Sequence, residues 1–117
     1  MPSNNPKWKF RIQHILNAIA ESRNFTGNMT YESFCTDAKT LKAVVWNLTV
    51  IGEAARHVPS HVETAFPEIP WPQLRGMRNH IVHAYDRIDW EIVWKVVQDE
   101  LPPLVAIFER ILQEVPE

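Results

Sequence analysis

Apolar side chains recur every three or four residues along almost the whole chain, and that spacing is the period of an α-helix. Trp8, Ile12, Ile15, Leu16 and Ile19 predict a first helix over roughly residues 6–23. Asn24 to Met29, with Gly27, reads as a loop. Thr30 can cap a second helix, whose stripe of Phe34, Ala38, Leu41, Val45, Leu48 and Ala55 carries it to about Val58. At about 28 residues such a helix is long enough to bend. Gly52 in its interior costs roughly 1 kcal/mol against Ala, which a close helix–helix contact would explain.

The remaining chain continues the pattern. Ser60-His61-Val62-Glu63 has capping-box spacing and predicts a short helix ended by Pro67. Pro70-Trp71-Pro72 reads as a rigid connector, with Pro72 suited to the first turn of the next helix. That helix carries Leu74, Met77, Ile81 and Ala84 on one side and should end near Tyr85. Asp89 is placed to cap the following helix, with Ile88 as a hydrophobic staple before it. Trp90, Val93, Val97 and Leu101 continue that helix until Pro102 and Pro103 kink it or start another. Leu104, Phe108, Ile111 and Val115 form a last stripe.

The expected fold is therefore all-α: an up-and-down bundle of four to five main helices in one domain over residues 1–117. Composition agrees. The 117 residues suffice for one core, and only 3 are Gly, few for a chain built on hairpins. No apolar run reaches the roughly 18 residues of a membrane span. The start, MPSNNPKWKF, holds no apolar signal core, so a cytoplasmic protein is expected. One cysteine, Cys35, excludes an internal disulfide and a cysteine-clustered zinc site, and reads as a small apolar filler.

The net charge of −2 argues against a protein that coats nucleic acid generally. Its distribution is uneven. Residues 73–87 set Arg75, Arg78 and Arg87 against Asp86 alone and add His80 and His83, whereas residues 88–117 hold seven acids and two bases. The basic stretch is either a solvated helix face or a small anion site.

Candidate chemistry lies in Gly76-Met77-Arg78-Asn79-His80-Ile81-Val82-His83-Ala84-Tyr85. At about 100° per residue, Arg78, Asn79, His83 and Tyr85 share a polar strip, with Met77, Ile81 and Ala84 toward the core. A guanidinium can hold a phosphate, and an imidazole can move protons near neutral pH. Neither group needs a metal. His80 and His83 could chelate, but no acidic pair nearby completes a site. The plainer alternative is an Arg and a His on an ordinary helix surface.

Arg78-x4-His83-x-Tyr85 also resembles the R-x4-H-x-Y signature of the HepT-like toxins, small α-helical ribonucleases of the HEPN superfamily. Asn47-Leu48 with Ile51-Gly52-Glu53-Ala54-Ala55, Pro67-Glu68-Ile69-Pro70-Trp71 with Gly76-Met77-Arg78-Asn79, and Ile88-Asp89 with Val93-Trp94 are similar to that family's segments in the same order. The resemblance implies a symmetric homodimer in which two motif copies meet in one composite cleft. It implies a metal-independent endoribonuclease without a cofactor. Arg78 would bind the scissile phosphate, His83 would handle protons, and Asn79 would position the phosphate or His83. It implies a toxin of a type VII-like toxin–antitoxin pair. The partner would be a minimal nucleotidyltransferase antitoxin that transfers AMP to Tyr85, adding charge and bulk at the cleft mouth. Two other classes stay open: a non-catalytic subunit that binds a nucleotide or substrate for a nucleotidyltransferase, and a structural helical adaptor. His80 and Glu53 receive no role.

Overall fold

Two aspartates and a threonine set where the shorter helices meet the longer ones. In the computed structural model residues 7–117 are described, with backbone alone for Arg78 and residues 80–85. The helices are α1 (Lys9–Thr26), α2 (Tyr31–Cys35), α3 (Ala38–Ala55), α4 (Ser60–Ala65), α5 (Trp71–Ala84), α6 (Trp90–Lys95) and α7 (Val105–Glu114). Among the described residues there is no strand, and the all-α expectation holds. Four long helices carry the bundle, and none is long and apolar enough to cross a membrane among the described residues.

Thr30 caps α2 as predicted. Its hydroxyl accepts from Ser33 N at 3.1 Å while Ser33 Oγ accepts from Thr30 N at 3.0 Å. The single helix expected from Thr30 to Val58 does not form, because the chain breaks at Thr36-Asp37. Asp37 is extended (φ −105°, ψ 93°), and its carboxylate accepts from Thr40 N at 3.0 Å, which caps α3 afresh. The break turns α2 toward α6 and seats Phe34 at 0% exposure against Trp90 and Trp94, with ring centroids 6.1 and 5.0 Å away.

Three further boundaries differ from the periodicity. The first helix runs to Thr26, through part of the expected loop. Thr26 Oγ1 donates to Ser22 O at 2.9 Å and accepts from Gln98 Nε2 at 2.8 Å, so a tertiary bond holds the last turn. The Ser60–Glu63 capping box does not form. Ser60 is already helical after Pro59, and Glu63 is engaged by Arg75 Nη1 at 2.6 Å instead. After α6 a π turn (Val96–Glu100) leads into a 3₁₀ turn (Pro102–Leu104), so the two prolines start a new helical segment. Asp89 caps α6 as expected, accepting from Glu91 N and Ile92 N at 3.1 and 3.3 Å.

Among the long helices α1 packs on both α3 and α7, and α3 packs on α5. Ile12, Ile15, Ile19, Ile51, Phe108 and Ile111, each at most 1% exposed, fill the space between them. Gly52 is buried on α3. The helix bearing the candidate motif rests on α3, and its first residue also reaches α7.

Candidate active site

Trp71 fixes where the motif helix begins. The connector expected at Pro70-Trp71-Pro72 is in fact the entry into α5, with Trp71 as its first residue. The indole is 4% exposed, and Nε1 donates to Phe66 O at 3.0 Å. Its ring meets Phe108 of α7 edge-on, with centroids 6.0 Å apart. A buried aromatic with its one donor satisfied holds this end of α5 against two neighbouring segments. Leu74 is buried one turn further on, and Met77 packs against the same core. Gly76 and Asn79 are exposed.

The α5 backbone carries Arg78, Asn79 and His83 on one continuous helix. Tyr85 opens the 3₁₀ turn Tyr85–Arg87, so the helix ends where expected. Positions 79 and 83 are therefore one turn apart on the same side. The side chains of Arg78, His80, His83 and Tyr85 lie outside the described residues. Among the described residues no three His, Cys, Asp or Glu side chains group to hold a metal ion.

Beside Asn79 opens a cleft of about 470 Å³, lined among the described residues by Arg56, Arg75, Gly76 and Asn79. Arg56 ends α3 and Arg75 lies in the second turn of α5, so two helices deliver the two guanidiniums. Arg75 is steadied by Glu63 at 2.6 Å and Arg56 by Glu53 at 3.5 Å. Glu53, left without a role above, also lies 3.1 Å from His57 Nε2. Sequence reasoning counted Arg75 only as charge and passed over Arg56. The signal available was the four-residue step from Arg75 to Asn79; Arg56 is brought in only by the packing of α3 on α5.

The family described as Ribonuclease HepT-like matches residues 15–111, from the middle of α1 into α7. The chain belongs to that family. Membership places it among ribonucleases, and the match contains both the motif helix and the cleft arginines. A protein of Thermococcus cleftensis named "Probable ribonuclease HepT" is 36% identical over 100 residues, covering 86% of this chain and 91% of that one. Two proteins of Methanocaldococcus jannaschii, each named "Putative RNase", are 37% and 34% identical over 104 residues, each covering 89% of this chain and 86% of the relative. No solved structure matches the chain. The HepT-like match reaches well before Asn47, where the family-like segments of the sequence begin, and takes in part of α1 and all of α2.

Proposed function

We propose that this HepT-like chain is a metal-independent endoribonuclease whose chemistry is carried by Arg78 and His83 on α5, with Asn79 positioning the phosphate. The observation that carries the proposal is the family match over residues 15–111 with the motif residues on one helix. His83 accepts the proton of the ribose 2′-OH as its oxygen forms a bond to phosphorus. The bond from phosphorus to the 5′ oxygen breaks, and that oxygen leaves with a proton. The product strand ends in a 2′,3′-cyclic phosphate. Charge grows on the non-bridging oxygens during this exchange, and a guanidinium fixed nearby stabilises it.

A symmetric homodimer supplies the second motif copy and, with it, an acid for the leaving oxygen. Two basic α5 segments side by side also answer the acidic total charge. Regulation comes from a cognate minimal nucleotidyltransferase that adds AMP to the Tyr85 hydroxyl, placing negative phosphate where RNA must enter. Together these make the chain the toxin of a toxin–antitoxin pair acting in the cytoplasm.

The deciding experiment is cleavage of RNA by the purified chain in EDTA. Wild type is expected to cut, while Arg78→Ala and His83→Ala lose at least a hundredfold in rate with helicity and oligomeric state intact, the scale typical of general acid–base and charge-stabilising groups (about 10²-fold or more). Full activity in both variants overturns the site assignment. Binding to the nucleotidyltransferase without any RNA cleavage would instead favour a non-catalytic subunit.

A further inference from the structure

We propose that the cleft beside Asn79, lined among the described residues by Arg56, Arg75 and Gly76, is a phosphate subsite that holds the RNA strand near the bond being cut. The proposal rests on RNA being the substrate and names how the strand is gripped.

Three observations meet in this cleft. The first is charge. Arg56 from the end of α3 and Arg75 from α5 line one space of about 470 Å³. Among the described residues Arg56 meets Glu53 at 3.5 Å and Arg75 meets Glu63 at 2.6 Å. Arg75 reaches Glu63 through Nη1, and a guanidinium carries five N–H donors, more than one carboxylate can take. Paired planar guanidiniums suit a tetrahedral phosphate better than a single carboxylate, because they can bracket its oxygens.

The second observation is Gly76. Glycine inside a helix costs about 1 kcal/mol relative to alanine. Packing does not demand it here, since a Cβ at this position would meet no atom within 4 Å. The residue instead lines the cleft, where bare backbone leaves room for a sugar–phosphate to approach.

The third is register. Arg75, Asn79 and His83 follow at four-residue steps along α5. Each step advances about 6 Å, so Arg75 sits about 12 Å along the helix from the His83 position. That places the cleft along the path of a strand whose scissile phosphate lies at the motif, where a phosphate further along the same strand can lie. A basic groove that tracks the backbone is how single strands are held without base readout.

The test uses the full-length chain and a 2′-O-methyl oligoribonucleotide of about eight nucleotides, within the span such grooves occupy, which cannot be cleaved. Binding is measured across a salt series for wild type, Arg56→Gln, Arg75→Gln, Arg75→Lys and the double glutamine variant. Each glutamine variant is expected to bind five- to tenfold more weakly. The slope of log affinity against log salt should fall by about 0.7 per arginine, the single-strand value. Arg75→Lys should keep the slope while losing part of the affinity. With cleavable RNA the loss should appear in KM, with kcat within twofold. Wild-type affinity and slope in both glutamine variants overturn the proposal, as does a loss confined to kcat. Arg56 is exposed at a helix end, so Arg56→Gln carries the test if Arg75→Gln fails to fold. A chain that binds the oligonucleotide through these arginines yet cleaves nothing would overturn the ribonuclease chemistry and leave the subsite standing.

Discussion

Arg75 Nη1 donates to Glu63 Oε2 at 2.6 Å, joining α5 to α4 across twelve residues of sequence. Both side chains are partly buried, at 35% and 24% exposure, so solvent screens this pair less than a surface pair. A double-mutant cycle with Arg75→Gln and Glu63→Gln should give a coupling of about 1 kcal/mol in urea unfolding, near the upper end for exposed pairs. The coupling should shrink in high salt. Additive single changes would mean that the pair adds nothing to holding α4 against the motif helix.

Gly76→Ala tests the cleft from the opposite direction. The added methyl meets no neighbour, and alanine is the better helix former. The variant should be more stable by about 0.5–1 kcal/mol, seen as a higher midpoint of thermal unfolding. It should also bind RNA more weakly, because the methyl narrows the cleft. A stabilised variant with unaltered RNA affinity would leave the glycine without a role in binding.

The helices of this chain are legible because their apolar stripes are long and regular, and Ile12, Ile15, Ile19 and Leu48 fall in the core as their spacing demands. The boundaries that differ were decided by partners far away in sequence. Thr26 stays helical because Gln98 reaches it from the π turn, 72 residues on. Glu63 leaves its local capping geometry for Arg75. Asp37 is the exception, since an aspartate three residues before Thr40 was a readable helix start, hidden by a stripe that continues in phase through it. The motif on α5 could be read locally because all its members lie within eight residues. The cleft could not, because Arg56 joins it only once α3 and α5 pack.

Asp37 therefore predicts a measurable cap. Asp37→Ala removes the acceptor for Thr40 N and should cost about 1 kcal/mol, whereas Asp37→Asn or Asp37→Ser should restore most of it. Chemical denaturation of the three variants decides. Equal stability of alanine and wild type would mean that the break at Thr36-Asp37 is held by Phe34 and its contacts alone.

Phe34 is the side chain around which α2 and α6 assemble. It is fully buried, with Trp94 at 5.0 Å and Trp90 at 6.1 Å between ring centroids. Phe34→Ala should cost about 3–5 kcal/mol, the sum of lost transfer energy and the cavity left behind. Phe34→Leu should recover more than half of it. Tryptophan fluorescence should shift with the alanine variant even below its unfolding midpoint, since two of the neighbours are indoles.

Tyr31 offers a prediction in pH. Its phenol is pushed up from 10.0 to about 12, first by Cys35 one turn on, then by burial and by the charges of Cys35, Glu91 and Asp89. A phenol whose folded value is raised contributes stability that is complete below the unfolded value near 10. That contribution is lost as pH climbs through the folded value near 12. The chain has 2 tyrosines, so Tyr85→Phe leaves Tyr31 as the single phenol to follow by ultraviolet absorbance. The midpoint in that variant should lie near 12, and adding Cys35→Ala should draw it down toward 10. A midpoint already near 10 with Cys35 in place would show that Cys35 does not act on the phenol in solution. In that case Tyr31 would be held by its ring against Trp94 and by its packing on the core.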